Sequence, residues 1–176
     1  MPKFEANKTG LRFLWLSLFL ILLDQVSKQW VMANYDLYDS VNLLPSLNLT
    51  YVHNYGAAFS FLSDSGGWQR WFFTAIAVAV SVVLLVWLRR NPANLWRQNL
   101  AFALILAGAV GNVIDRIVFG YVIDFIDVYA GDWHWPAFNV ADMAITIGAV
   151  LMLLEAFFER EPEKNSAAND NSDSKS

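Results

Sequence analysis

Residues 100–119 read LAFALILAGAVGNVIDRIVF, a run from Leu100 to Phe119 whose charges are one acid and one base, Asp115 and Arg116, side by side near its far end. About 20 mostly apolar residues in a helix are what it takes to cross the ~30 Å hydrocarbon core of a bilayer. The run is apolar nearly all round, so it presents no polar face to water. Working outward, three more stretches have this character: about Leu11 to Ala33, Trp71 to Leu88 and Ala141 to Phe158. The fold class that follows is an all-α membrane protein of four transmembrane helices. Composition agrees. Hydrophobic residues make up 56% of the chain and charged residues 16%, against about 25% charged in soluble domains. That excess of apolar side chain exceeds what a soluble core of this size can bury.

Basic residues set the expected orientation. Lys3, Lys8 and Arg12 precede or open the first stretch, Arg89, Arg90 and Arg97 lie between the second and third, and Arg160, Lys164 and Lys175 follow the fourth. The loops 34–67 and 120–137 contain no Lys or Arg. Both termini are therefore expected in the cytoplasm and those two loops outside. Trp30, Trp68, Trp71, Trp133 and Trp135 fall near the outward boundary, as an aromatic belt does. The first stretch begins like a secretory signal. It continues into Asp24-Gln25-Val26-Ser27-Lys28 with no small-residue cleavage site, so it reads as an uncleaved helix. The expected organisation is a cytoplasmic segment 1–10, a membrane domain 11–158 and a polar, disordered cytoplasmic tail 159–176.

The first outward loop carries a pattern of its own. Leu47 to Asn54 alternates apolar and polar with β-formers and reads as a strand. Gly56-Ala57-Ala58-Phe59 follows, with small residues where backbone can approach closely. A small extracytoplasmic β element between helices 1 and 2, able to hold an extended peptide by edge pairing, is expected.

Ionisable side chains at membrane depth point to a site. Asp24, Lys28, Asp115, Arg116 and Asp142 lie in or at the ends of the apolar runs, and Asp124 sits in the apolar Val122-Ile123-Asp124-Phe125-Ile126. All fall in the outward half. Each has a plain structural reading beside the functional one. Asp24 and Lys28, four apart, share a helix face and can neutralise each other. Asn112, Asp115 and Arg116 share a face and can clamp helices, with Gly108 and Gly111 permitting close packing. Asn139-Val140-Ala141-Asp142 resembles a helix cap with an acid three residues on, and capping explains both. Asp124 has apolar neighbours and no cation nearby, so it needs a partner or a proton. Asp127 and Asp132 read as solvated loop acids.

Other chemistries thin out. There is no cysteine, which removes disulfides, thiolate metal sites and cysteine nucleophiles. His53 and His134 are the only histidines and lack metal-site spacing. No G-x-S-x-G occurs. Ser27 and Lys28 are adjacent and point ~100° apart on a helix, poor for a Ser–Lys pair. The net charge of −4 and the scattered bases exclude a nucleic-acid surface. Carboxylates remain.

Four blocks carry a resemblance. Asp24-Gln25-Val26-Ser27-Lys28, Asn54-Tyr55-Gly56-Ala57-Ala58-Phe59-Ser60, Gly111-Asn112-Val113-Ile114-Asp115-Arg116, and Val122-Ile123-Asp124-Phe125 with Phe138-Asn139-Val140-Ala141-Asp142 fall in order over residues 24–142. Together they resemble the pattern of lipoprotein signal peptidases (signal peptidase II). The resemblance implies that Asp124 and Asp142 are catalytic aspartates, and that Asp24, Lys28, Asn54, Gly56, Asn112, Asp115, Arg116 and Asn139 line or brace the site. It implies an aspartic endopeptidase of the bacterial inner membrane. Its substrate is a diacylglyceryl-modified prolipoprotein, cut just before the lipidated cysteine, with membrane lipid as the other partner. No metal or organic cofactor is required, and a monomer is expected. A proton- or ion-relay transporter or channel subunit is the alternative from another class, because such relays also use intramembrane Asp, Lys and Arg. A structural subunit that uses its acids as helix glue is a third.

Overall fold

A computed structural model of the chain describes residues 8–56 and 67–158. Four long helices dominate: α1 (Leu14–Asn34), α2 (Trp68–Arg90), α3 (Trp96–Val118) and α4 (Val140–Phe158). Each is long and apolar enough to cross a membrane. A helix satisfies every backbone hydrogen bond within itself, which hydrocarbon demands. More than half of the apolar window of α3 is buried, 56%, against 17% in each of the others. α3 is therefore the axis on which the others pack, and its C-terminal part from Gly108 to Arg116 carries the polar residues into the centre of the protein. α2 and α3 start earlier than the apolar runs suggest, at Trp68 and Trp96, because polar and aromatic residues such as Gln69 and Gln98 continue a helix beyond the hydrocarbon.

Small residues bring α3 and α4 together. A Cβ at Gly108 would fall on the Ala141 carbonyl, and one at Gly148 would lie 2.8 Å from the Ala101 carbonyl. The two backbones approach as small-residue interfaces allow.

The β element is larger than expected from sequence. β1 (Ser40–Leu44) and β2 (Leu47–Asn54) form the hairpin between α1 and α2, with β2 on the residues the alternation marks. β3 (Val122–Ala130) and the short β4 (Trp133–His134), from the second loop, join them in a four-stranded antiparallel sheet of order β1-β2-β3-β4. β3 packs its Ile123 and Phe125 with Val31 of α1 and with Leu49 and Tyr51 of β2. This apolar run was legible only as the sequel of a helix. Gly120, at φ +90, makes the turn that lets the chain leave α3 and enter β3 at once. The register shifts between Leu49↔Ile126 and Val52↔Asp124, so Thr50 and Tyr51 of β2 oppose Phe125 alone on β3. This bulge divides the partners of β3: Asn48 and Thr50 reach Asp127, and Asn54 reaches Asp124. The Ala57–Phe59 part of the small-residue motif lies outside the described residues.

A second apolar cluster, Leu84, Leu88, Phe102 and Leu106, fills the other end of the bundle. Between the two clusters runs a layer of buried polar side chains: Asp24, Lys28, Asn112, Asp115, Asp124 and Asn139.

Candidate active site

The polar layer begins with Lys28, which is fully buried. Its ammonium lies 2.8 Å from Asp24 Oδ2 and 2.8 Å from Asp115 Oδ2, and it donates to Asn112 Oδ1 at 3.2 Å. The expected Asp24–Lys28 pair is thus a triad across α1 and α3. Gln25 Nε2 ties both acids again, donating to Asp115 Oδ1 at 2.8 Å and Asp24 Oδ2 at 3.2 Å. Each acid also accepts from a distant backbone amide. Asp24 Oδ1 takes the N–H of Ala141, at 2.9 Å, in the first turn of α4. Asp115 Oδ2 takes the N–H of Ile123, at 3.2 Å, in β3. Those amides neighbour Asp142 and Asp124. The triad is a strut that fixes, through backbone, the two segments carrying the remaining acids.

Asp124 and Asp142 are linked by amides. Asn139 Nδ2 donates to Asp124 Oδ1 at 2.6 Å and to Asn112 Oδ1 at 3.3 Å. Asn112 Nδ2 donates to Asp142 Oδ1 at 2.7 Å. Asn54 Nδ2 adds a bond to Asp124 Oδ2 at 2.9 Å, and Asn54 Oδ1 is occupied by the N–H of buried Gly56 at 3.0 Å, which fixes the amide's orientation. The capping arrangement read from the sequence is present too: Asp142 N–H donates to Asn139 Oδ1, and Asn139 N–H to Asp142 Oδ2. Capping and site-building use different atoms of the same pair, so neither displaces the other. Asp142 keeps Oδ1 on the site side while Oδ2 closes the helix.

The charge balance is uneven. Lys28 is shared by Asp24 and Asp115, its two ion-pair partners. Arg116, half-buried, donates to the Asn112 carbonyl at 3.4 Å and lies over the Phe73 ring at 5.6 Å. Among the described residues no ion pair joins it to Asp124 or Asp142. Burial pushes the Asp124 carboxyl up to about 7, helped by the charge of Asp142 and opposed by the Asn54 and Asn139 hydrogen bonds and by Lys28. Two acids with one-sided compensation favour holding a single proton between them. That is the state in which one carboxylate takes a proton from water while its neighbour donates a hydrogen bond to a carbonyl.

The structure therefore gathers Asp24, Lys28, Asn54, Gly56, Asn112, Asp115, Asp124, Asn139 and Asp142 into one connected network, with Arg116 at its edge. Gln25 went unread as a site residue, because its partner Asp115 is remote in sequence and chain spacing gives no hint of it. Asp127 corrects the reading as a solvated acid: it is buried, 7% exposed, and accepts from Asn48, Thr50 and His134. It belongs to the sheet. Asp132 is exposed, as expected. Among the described residues no cluster of His, Asp and Glu has a metal-holding arrangement.

Known proteins resemble this chain in sequence and in fold. The sequence profile of signal peptidase (SPase) II matches residues 16–158. The lipoprotein signal peptidase of Shewanella sp. (strain MR-4) is 57% identical over 157 residues, 89% of this chain and 92% of that protein. The lipoprotein signal peptidase of Shewanella amazonensis (strain ATCC BAA-1098 / SB2B) is 59% identical over 151 residues, 86% and 90%. Two solved structures described as a bacterial membrane enzyme superpose with TM-scores of 0.74 and 0.73, at 32% and 31% identity. They cover 87% and 88% of this chain and 93% and 99% of theirs.

Proposed function

This chain belongs to the signal peptidase II family, and on that premise we propose that Asp124 and Asp142 are an aspartyl dyad that removes signal peptides from diacylglyceryl-modified prolipoproteins. The cut falls just before the lipidated cysteine, at the outward face of the bacterial inner membrane. The observation that carries this reading is the pairing of buried Asp124 with half-buried Asp142 through Asn112 and Asn139, with the nearby lysine already shared by two other carboxylates.

The chemistry follows. The ionised carboxylate removes a proton from water as the oxygen attacks the carbonyl carbon before the cysteine. The protonated one hydrogen-bonds the carbonyl oxygen and stabilises the tetrahedral intermediate. Collapse breaks the C–N bond, and a proton passes from the dyad to the departing cysteine nitrogen. The proton belongs to the pair, so the two acids titrate together. Asn54, Asn112 and Asn139 hold the carboxylates. Asp24, Gln25, Lys28 and Asp115 hold the segments that bear them. Edge strand β1, exposed along its length, suits an extended substrate. Both acids lie on one chain, so the reading needs only a monomer. No observation favours a transporter.

The test is cleavage of a lipidated prolipoprotein by the parent and by Asp124→Asn and Asp142→Asn, with thermal unfolding measured beside each rate. Each single change is expected to remove nearly all turnover, and the double change to add little, because the acids act as a unit. Near-parental cleavage by either folded variant refutes the dyad. Capping alone predicts that outcome for Asp142→Asn, since Asn caps helices well.

A further inference from the structure

The end of the bundle away from the dyad gathers cations that the site does not use. Lys8, Arg12, Arg89, Arg90 and Arg97 are all exposed there. The stretches 8–16, 85–98 and 150–158 that form this end hold one acid, Glu155, and it already has a partner in the chain. Lys8 and Arg89 are engaged as well. Among the described residues no acid pairs with Arg12, Arg90 or Arg97. Like charges crowded at one end repel each other and weaken the fold unless an anion joins them.

The backbone holds these arginines together. Gly10 N–H donates to the Asn91 carbonyl at 2.9 Å, Ala93 N–H donates to the Lys8 carbonyl at 3.0 Å, and Thr9 bridges Pro92 in antiparallel register. The N-terminal segment is thus clasped to the α2–α3 loop. Gly10 is buried, and a Cβ there would fall on the side chain of Asn99, whose Nδ2 donates to the Pro92 carbonyl at 2.9 Å. A 3-10 turn, Gly10–Phe13, then leads into α1. Arg12 comes from that turn, Arg90 ends α2 and Arg97 opens α3, so the clasp holds all three at one rim. Arg12 lies over the Phe13 ring at 5.1 Å and Arg97 over the Trp96 ring at 5.4 Å. Stacking fixes the plane of a guanidinium and leaves its N–H edge open to oxygen. Trp15, Trp87 and Trp96, exposed by 67%, 44% and 52%, stand at the same end, as side chains at headgroup depth do.

We propose that this clasp is a binding site for the headgroup of an anionic phospholipid in the leaflet that meets the α2–α3 loop. The guanidiniums of Arg12, Arg90 and Arg97 meet the phosphate oxygens, which accept the paired N–H groups of arginine well. Lys8 and Arg89 add to the attracting field, and the tryptophans lie among the glycerol backbones. A lipid held here joins the N-terminal turn, α2 and α3, and it offsets the repulsion between their charges. It touches no residue of the dyad, so lipid binding and stability report it, and kcat does not.

The experiment titrates the full chain, purified in a neutral maltoside detergent, with phosphatidylglycerol. Phosphatidylcholine and inorganic phosphate are the control ligands, and bound lipid and unfolding temperature are followed together. Phosphatidylglycerol is expected to bind the parent and raise its unfolding temperature, and both controls to leave that temperature unchanged. An arginine facing an anionic headgroup is worth about fivefold in affinity. Arg90→Gln, at an exposed position, should weaken binding by about that factor, and Arg12→Gln, Arg90→Gln and Arg97→Gln combined by about a hundredfold. Should the triple variant fail to fold, the parent titrations and Arg90→Gln decide the matter alone. A triple variant that melts lower than the parent by the same margin with and without phosphatidylglycerol assigns the arginines to contacts within the chain and overturns the proposal. Phosphatidylcholine acting as phosphatidylglycerol does overturns it, as does inorganic phosphate reproducing the rise, the mark of a soluble anion. Undiminished phosphatidylglycerol binding by the variants places the lipid elsewhere and overturns it too.

Discussion

At the scale of residues, Asp124 shows how a site trades stability for chemistry. Burial first, then the charge of Asp142, raises its carboxyl from the ordinary range near 3.8 to about 7. A group whose folded pKa is raised binds its extra proton only between those two values. Its stabilising contribution is complete below the unfolded value and is lost as pH rises through about 7. Asp124→Asn removes that dependence. Unfolding followed against pH in detergent should therefore find the parent losing ground to Asp124→Asn as pH rises from about 4 to above 7, with the variant the more stable at the alkaline end. A constant difference across that range counts against a buried, proton-holding Asp124. The proposed dyad predicts a bell-shaped activity profile whose alkaline limb in kcat/KM falls near 7, where the pair would give up its shared proton. Gln25 offers a milder probe. Leucine there deletes hydrogen bonds to Asp24 and Asp115 and leaves acceptors less satisfied, which should cost about 1–3 kcal/mol. No loss of melting temperature in Gln25→Leu would show that Lys28 alone holds the strut.

At the scale of elements, the helices were legible in the sequence because lipid imposes one rule on all of them: about 20 apolar residues and no broken backbone. β2 was legible by its alternation. β3 was not, because Val122 to Ile126 is buried on both faces, and a short apolar run has no period to separate strand from helix end. The acids of the site could be picked out by depth. Their bonding could not, since Asp24 reaches Ala141 and Asp115 reaches Ile123 only after α1, α3, α4 and β3 have come together. That dependence makes the strut testable. Lys28→Met leaves Asp24 and Asp115 buried without their cation, and breaking such a pair on one side costs about 3–5 kcal/mol. Chemical denaturation of reconstituted protein should report a loss of that order, and a loss under about 1 kcal/mol would mean the acids take up protons instead. The α3–α4 contact is held more by shape than by charge. Gly108→Val places side chain where the Ala141 carbonyl stands, and overpacking of this kind costs about 1–3 kcal/mol. Because Ala141 neighbours Asp142, the shift should lower kcat as well as melting temperature. Loss of stability at full kcat would separate packing from the dyad.

At the scale of the whole molecule, the dyad's height in the bundle decides what can reach it. Asp142 opens α4, and Asn112 and Asp115 lie toward the end of α3, beside the sheet that carries Asp124. Trp30, Trp68, Trp71, Trp133 and Trp135 are each about half exposed, as suits side chains at the water–lipid boundary. Reporter fusions should place residues 40–56 and 125–135 outside and 91–97 inside, and a cytoplasmic signal from the loop around Asn54 would turn the assignment over. The same height sets the substrate requirement. A peptide free in water must give up its hydration and its freedom of orientation to bring a scissile bond to Asp124, buried in β3, and Asp142 in the first turn of α4. A diacylglyceryl chain supplies ~0.8 kcal/mol for each methylene it keeps in the bilayer. Its anchoring concentrates the cysteine at the membrane boundary and removes much of the entropy cost of aligning the bond before it. The lipid does not touch the reacting atoms, so its contribution appears as binding, in KM and kcat/KM, with a smaller change in kcat once the site is filled. The measurement compares one prolipoprotein with and without its diacylglyceryl group, on one reconstituted enzyme at matched lipid content. The lipidated form should be cut with kcat/KM higher by orders of magnitude, and equal turnover of the two forms would show that the height of the dyad plays no part in choosing the substrate.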